Sequence, residues 1–336
     1  MTLPAPGNSI SAGQINVEAE RSETSSAPLS GSSSTPQTGS LVKIYSAPNS
    51  DVNQVAPHKY SEFYSKTFTP DNIPQCGGTL NVSGGVGYYT VSINLGAATG
   101  AVVIHFAPAN IPDGIAFEYN GTVYNKLTAP FVPTTVPRSP LTAAANTLNF
   151  VGLTTNVSCS SSDLVNNSPY NLTNYAWNGS AFAASGGSTS IVTSSVNLLG
   201  SSGQGQAYTL VVPKTNASVT TGQLRVAGPC SSTGWSVQVS CPTTLLSWST
   251  SSVQSSSGAA CNASYTQTYY FARNASFSSN TFTEDSNTVP STNNFVFSDS
   301  SGTTALSNGF YKLTNATTMQ VNDGIVTDIQ VNACVP

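Results

Sequence analysis

Residues 79–108, TLNVSGGVGYYTVSINLGAATGAVVIHFAP, decide how this chain folds. Three apolar runs stand in the stretch, around Val82, from Tyr88 to Ile93 and from Val102 to Phe106, with glycine-rich turns between them. Runs of that length bounded by turn formers read as β-strands. The next stretch, IPDGIAFEYNGTVYNKL at 111–127, places Asn120-Gly121 between two alternating segments. Asn and Gly both tolerate the positive φ of a type I′ turn, so a hairpin is expected there. Further strands are expected in TLNFVGL (147–153), AYTLVVP (207–213), GQLRVAGPC (222–230) and GWSVQVSCP (234–242). No window offers apolar residues at i, i+3, i+4 and i+7 over a dozen positions, as an amphipathic helix requires. Short strands recurring every 8–12 residues or so point to an antiparallel β-sandwich or jelly roll over residues 71–246.

The flanks differ from this centre. SWSTSSVQSSSGAACNAS, residues 247–264, is rich in serine and reads as a linker. Beyond it, residues 265–336 carry further short strands with turn signals at Asp299–Gly302, Asn308-Gly309 and Asn322-Asp323-Gly324, so a smaller C-terminal β domain is expected. Residues 1–70 hold only scattered apolar anchors, among them Ile15, Val17, Val42, Ile44, Tyr60, Phe63, Tyr64 and Phe68, around a Ser/Thr/Pro/Gly tract. Sparse anchors of this kind do not close a core, so the segment reads as an extended arm that orders by docking on another protein. The fold class expected for the whole chain is all-β.

Charged residues make up 7% of the 336 positions, and ten Lys and Arg against fourteen Asp and Glu leave a net charge of −4. Nucleic acid is recognised through clustered cations that neutralise phosphates, and these ten are scattered singly, so no nucleic-acid partner is expected. The longest apolar candidate for a membrane span, AVVIHFAPANI, is broken by His105 and Pro108. No basic residue precedes Arg21, and Pro4, Pro6 and Gly7 interrupt the opening, so no secretory signal is expected and synthesis in a cytoplasm follows.

Catalysis needs titratable groups in useful combinations, and they are scarce. His58 and His105 are the two histidines, and neither sits in a nucleophile or metalloprotease motif. The visible carboxylate pairs are Asp113 with Glu118 and Glu284 with Asp285, and Asp113 lies in a Pro-Asp-Gly turn signal. The acidic turns lack the spacing of a calcium loop. No enzyme activity, cofactor or metal is therefore expected. Trp177, Trp235 and Trp248 are either core residues or platforms for a sugar ring, core being the commoner fate. Of the six cysteines, Cys76, Cys159, Cys230, Cys241, Cys261 and Cys334, buried thiols are the leading expectation; Cys230 and Cys241, which bracket a possible hairpin, are the first pair to test for a disulfide.

Two ends of the chain resemble a known family. The opening LPAPGNSISAGQINVEAERSETSSAPLSG with APHKYSEFYSKTF resembles the N-terminal segment of tailed-bacteriophage virion proteins, tail fibres and tail-associated structural proteins. Ile15, Asn16, Val17 and Glu18 match that family's Ile-Asn-Val-Glu element, and Ser61, Phe63 and Tyr64 match its Ser-x-Phe-Tyr box; Ala19-Glu20-Arg21 departs from the Leu-Gly-Arg that follows in the family. FVFSDSSGTTALSNGFYKL (295–313) and the final GIVTDIQVNAC look like modules of phage proteins from Bacteroidetes hosts. The resemblance implies a structural virion component, external on the tail or capsid surface. It would be anchored through those seven N-terminal residues to other virion proteins, and the rest would project, with a host surface glycan as a further partner. β-Appendages of this kind are usually symmetric homo-oligomers, and a trimer is the first expectation.

Overall fold

The computed structural model describes residues 73–83, 85–108, 111, 113–128, 148–151, 170–191, 207–231, 233–331 and 334. The chain divides into two units, Met1–Asn72 and Ile73–Pro336, and every described residue lies in the second. The expected anchor residues Ile15, Asn16, Val17, Glu18, Ser61, Phe63 and Tyr64 lie outside the described residues, as does His58.

The described fold is all-β. In its first part, β1 (Thr79–Ser83), β2 (Gly87–Asn94), β3 (Gly100–Ala107), β4 (Asp113–Tyr119), β5 (Thr122–Tyr124) and β6 (Asn149–Val151) are followed by β7 (Tyr170–Trp177) and β8 (Phe182–Ile191). Then come β9 (Tyr208–Lys214), β10 (Thr221–Gly228) and β11 (Gly234–Val239). Two sheets result, with orders β1-β11-β3-β9 and β5-β4-β10-β2-β7-β8, and β6 also pairs with β4. The core of this arrangement, β1-β11-β3-β9 facing β2-β10-β4-β5, alternates early and late strands across both sheets, which is the wiring of a jelly roll. The β7–β8 hairpin is added outside β2, with β7 running parallel to it.

Alternation explains the packing. Along β2 the side chains of Tyr89, Val91 and Ile93 point inward, and their partners across β10 are Val226, Leu224 and Gly222. Phe117 and Ile115 of β4 flank the same β10 residues from the other side. From the facing sheet, Val102, Ile104 and Phe106 of β3, Tyr208, Leu210 and Val212 of β9 and Trp235, Val237 and Val239 of β11 complete one core. The Asn120-Gly121 turn forms as the sequence predicts: both residues have positive φ, and Tyr119 pairs with Thr122.

The second part contains β12 (Leu246–Thr250), the six-residue helix α1 (Ser257–Asn262), β13 (Gln267–Ala272), β14 (Ala275–Ser278), β15 (Thr281–Glu284), β16 (Phe295–Phe297), β17 (Gly309–Lys312), β18 (Thr317–Asn322) and β19 (Ile325–Val331). Its sheet runs β12-β13-β16-β19-β18-β17. The two edges meet: Gln254 and Phe310 exchange backbone hydrogen bonds of 2.9 and 3.0 Å, and the Thr250 hydroxyl donates to the Lys312 carbonyl at 2.7 Å. The sheet is thereby closed into a small barrel around Trp248, Phe271, Val296, Tyr311, Met319 and Val326.

Residues 247–264 are thus not a linker. They hold most of β12, whose Trp248 is buried in the barrel, and α1, whose N-cap Ser256 accepts from the Ala259 N–H and whose Ala260 is fully buried. Serine-rich composition hid a strand that buries one large ring. The helix also escaped sequence reading, since six residues are too few to show a helical period.

The cysteines are corrected as well. Cys241 is bonded to Cys76, and Cys261 to Cys334; Cys230 is disulfide-bonded but not to Cys241, and no described cysteine is a free thiol. The physical reason is β11: Cys230 precedes this strand and Cys241 follows it, and an extended run of that length spans about 20 Å. Disulfide-bonded Cα atoms must come within roughly 7 Å, so the two ends of one strand cannot be bridged.

Candidate functional site

The sheet β1-β11-β3-β9 is buried on both faces where β3 and β9 cross it. While Val102, Ile104 and Phe106 point into the jelly-roll core, Ala101 and Val103 point the other way, where with Val211 and Leu245 they pack on Ala272, Phe295 and Phe297 of the barrel part. This seam brings a buried histidine, an ion pair and several aromatic rings together among the described residues.

Several polar contacts cross it. His105 faces outward from β3 and is 2% exposed; its Nε2 lies 3.3 Å from Glu284 Oε1 and its Nδ1 3.2 Å from Thr209 Oγ1. With the Nε2–H directed at Glu284, Nδ1 accepts the Thr209 hydroxyl proton. The hydrogen bond from His105 holds the Glu284 carboxyl below the ordinary carboxylate range, while burial pushes neighbouring Asp285 up against the pull of His105 and Arg273. Lys126, just after β5, forms an ion pair with Asp323 in the β18–β19 turn, and the Thr128 hydroxyl donates to the Asn293 carbonyl.

Beside these contacts lies a cleft of about 260 Å³. Tyr124, Asn125, Lys126, Pro213, Thr303 and Asp323 line it, and the nearly buried Phe295 and Phe297 contribute to its apolar lining. An apolar surface rimmed by a phenol, an amide, a hydroxyl and an ion pair suits a polar ring compound with an apolar face, such as a sugar. It does not suit nucleophilic catalysis. Thr209, His105 and Glu284 follow the order hydroxyl, imidazole, carboxylate, but Thr209 is fully buried and no substrate can reach it.

Of the carboxylate pairs singled out in the sequence, Asp113 and Glu118 are separated. Asp113 shares parity with Ile115 and Phe117 and points into the protein, whereas Glu118 points to the opposite face of β4 and pairs with Arg225. Asp113 is wholly buried; Oδ1 accepts from the Thr233 hydroxyl at 2.6 Å, Oδ2 has no partner, and burial raises its pKa well above the carboxylate range despite the Thr233 bond. Asp299, in the expected acidic turn, is filled by its own loop. It accepts from the Ser301 N–H and hydroxyl and from the N–H groups of Thr303 and Thr304. Burial opposes its ionisation, yet those donors together hold it below the usual range.

Trp235 and Trp248 are core residues, and Trp177 is half-buried, edge-on to Phe182 at 5.2 Å, in a ring cluster with Tyr89, Tyr175 and Trp235. The cleft residues Tyr124, Phe295 and Phe297 escaped sequence reading. Their only signal was alternation, which does not tell which face meets another sheet. Among the described residues no helix is long and apolar enough to cross a membrane, and no three metal-ligating side chains gather. The class this defines is an all-β protein, a jelly roll joined to a small barrel. No protein-family model, curated protein or solved structure matches the chain.

Proposed function

We propose that the protein is a structural component of a bacteriophage virion, a tail fibre or tail-associated appendage. In this reading residues 1–70 dock on other virion proteins and the β body projects from the particle surface as a homo-oligomer, first a trimer. The motif resemblance at Ile15–Glu18 and Ser61–Tyr64 carries the reading. The body supports it: a jelly roll is an architecture used by capsid and lectin domains, and disulfides persist outside reducing compartments. Fold alone does not assign a role, so the test addresses the arm. Phe63→Ala with Tyr64→Ala in the full chain is expected to abolish incorporation into particles while leaving the melting temperature unchanged. Normal incorporation would remove the anchoring role.

A second reading, binding of a host surface glycan, is favoured by one observation, the ring-lined and polar-rimmed cleft at Tyr124 and Asp323. The full chain is expected to bind a subset of saccharides on a glycan array, and Tyr124→Ala to weaken that binding at least tenfold. A blank array would exclude this role without touching the structural one.

A further inference from the structure

Two of the disulfides, Cys76–Cys241 and Cys261–Cys334, fall at particular places in the chain. Cys76 stands just before β1, and Cys241 stands just after β11, so the pair encloses every jelly-roll strand; the two lie 165 residues apart in sequence and 4.8 Å apart in space. Cys261 lies in α1 and Cys334 three residues after β19 ends, so this second pair encloses every barrel strand except β12; the two are 73 residues apart in sequence and 4.9 Å apart in space.

We propose that the protein has a mechanical function as a covalent tether, in which tension applied between the chain ends bypasses the jelly roll and every barrel strand except β12. The load path enters through residues 73–76 and crosses the first disulfide to Cys241. It then follows residues 242–260 and crosses the second disulfide to Cys334. The jelly roll hangs outside this path as a closed loop, and so do β13 to β19. Without the first bond, pulling at Ile73 would peel β1, an edge strand paired only with β11, and open the jelly-roll core from its weakest side. With it, the force passes through sulfur to residues 242–260 and β12, the β1–β11 ladder carries none of it, and of the jelly roll's hydrogen bonds only the flanking ones of Pro74 and Cys76 to Asn94 and of Thr243 to Ala101 touch the path.

The segment left in the path is itself fastened. β12 pairs with β13 from Leu246 opposite Phe271 to Thr250 opposite Gln267, and Trp248 is buried beneath it. Gln254 and Phe310 add two backbone hydrogen bonds, and the Ser251 hydroxyl accepts from the Lys312 N–H at 3.1 Å. Yielding there frees a short length and leaves both β bodies tied. This inference stands on connectivity alone; it holds or fails whether or not the N-terminal arm docks on a virion.

Optical-tweezers extension of the full chain, with handles at its two ends, tests it. The oxidised protein is expected to release no step from the β body longer than about 70 Å, the contour length of the segment between Cys241 and Cys261. Dithiothreitol added after folding should add steps of about 590 and 260 Å, the lengths enclosed by the two disulfides. Cys76→Ser with Cys241→Ser should add one new step and leave the one of about 260 Å locked; it falls short of about 590 Å by the length the remaining disulfide of Cys230 encloses, and reaches that value when that bond is reduced too. A step near 590 Å from the oxidised chain would overturn the proposal. So would a peptide map of the non-reduced protein that pairs these cysteines otherwise. Should the double variant fail to fold, the comparison of oxidised with reduced wild type decides by itself.

Discussion

The jelly roll and the barrel close their sheets in different ways. In the larger sheet of the jelly roll the edges are covered by added chain: β7 and β8 extend it beyond β2, and β5 and β6 share the outer edge of β4. In the barrel the edges cover each other, β17 returning to the segment that follows β12. Covered edges tolerate local change, because one lost pairing leaves the rest of the sheet in register. A curled sheet depends on the point where it shuts, since unpaired edge groups there expose the core and invite pairing with other chains.

Gly309 is that point. Its φ of +149° is a conformation other residues rarely adopt, and a Cβ there would lie 2.5 Å from Val253 Cγ2 and 3.0 Å from the Gln254 carbonyl oxygen. Gly309→Ala is expected to cost about 2–3 kcal/mol, from backbone strain plus overpacking, and to speed hydrogen exchange at the Gln254 and Phe310 amides. Gly96→Ala in the jelly roll, at φ +68° with nothing within 4 Å of the added Cβ, should cost about 1–2 kcal/mol from strain alone. Equal losses in the two variants, measured by urea unfolding, would break the contrast between closure by curling and closure by cover.

Asp113 sharpens the comparison from the jelly-roll side, with a smaller effect of opposite sign. Burial raises its pKa in the folded protein, so the native state keeps a proton that the unfolded chain gives up near pH 4. The folded state then binds more protons than the unfolded one, and stability is greatest below that pH and falls as pH rises toward the folded pKa. Asp113→Asn cannot ionise and keeps an oxygen for the Thr233 hydroxyl, so it should lose this slope. Its stability curve is expected to lie below wild type at pH 4 and above it at pH 8. Parallel curves would show that Asp113 is already ionised in the fold.

How much of this was legible in the sequence depends on how far each feature reaches along the chain. The Asn120-Gly121 hairpin and the alternation of β2 are local, and both were readable. The run Val102–Phe106 also announced a strand, but its meaning, burial on both faces, depends on Phe295 and Phe297 nearly two hundred residues later. The pairing of Cys76 with Cys241 was hidden by the same distance, and proximity in sequence pointed instead to Cys230. Ser279 and Asn280 turn the β14–β15 hairpin with positive φ and no glycine, so the usual punctuation was missing. β12 was lost because Ser247 and Ser249 fill two of its exposed positions and Leu246 is exposed as well, while Trp248 and Thr250 alone face inward with full burial or nearly so. The seam cleft is the extreme case, because its walls come from three regions of the chain and none carries a motif.

The smallest expected effect lies at that seam, where the two bodies meet and neither mode of closure applies. The Glu284 carboxylate is half exposed, so solvent screens its pairing with His105 and its contribution should stay under about 1 kcal/mol. Its folded pKa is depressed, chiefly by the His105 hydrogen bond, so its contribution is present above the unfolded value and disappears as pH falls through the folded one. Gln in its place keeps an acceptor for the imidazole N–H but carries no charge. Glu284→Gln should therefore lower the melting temperature slightly at pH 7 and flatten its decline between pH 5 and pH 3. An unaltered acid limb would mean that Glu284 only rests against His105, and that apolar packing of Val103 and Val211 on Phe295 and Phe297 joins the two bodies without electrostatic help.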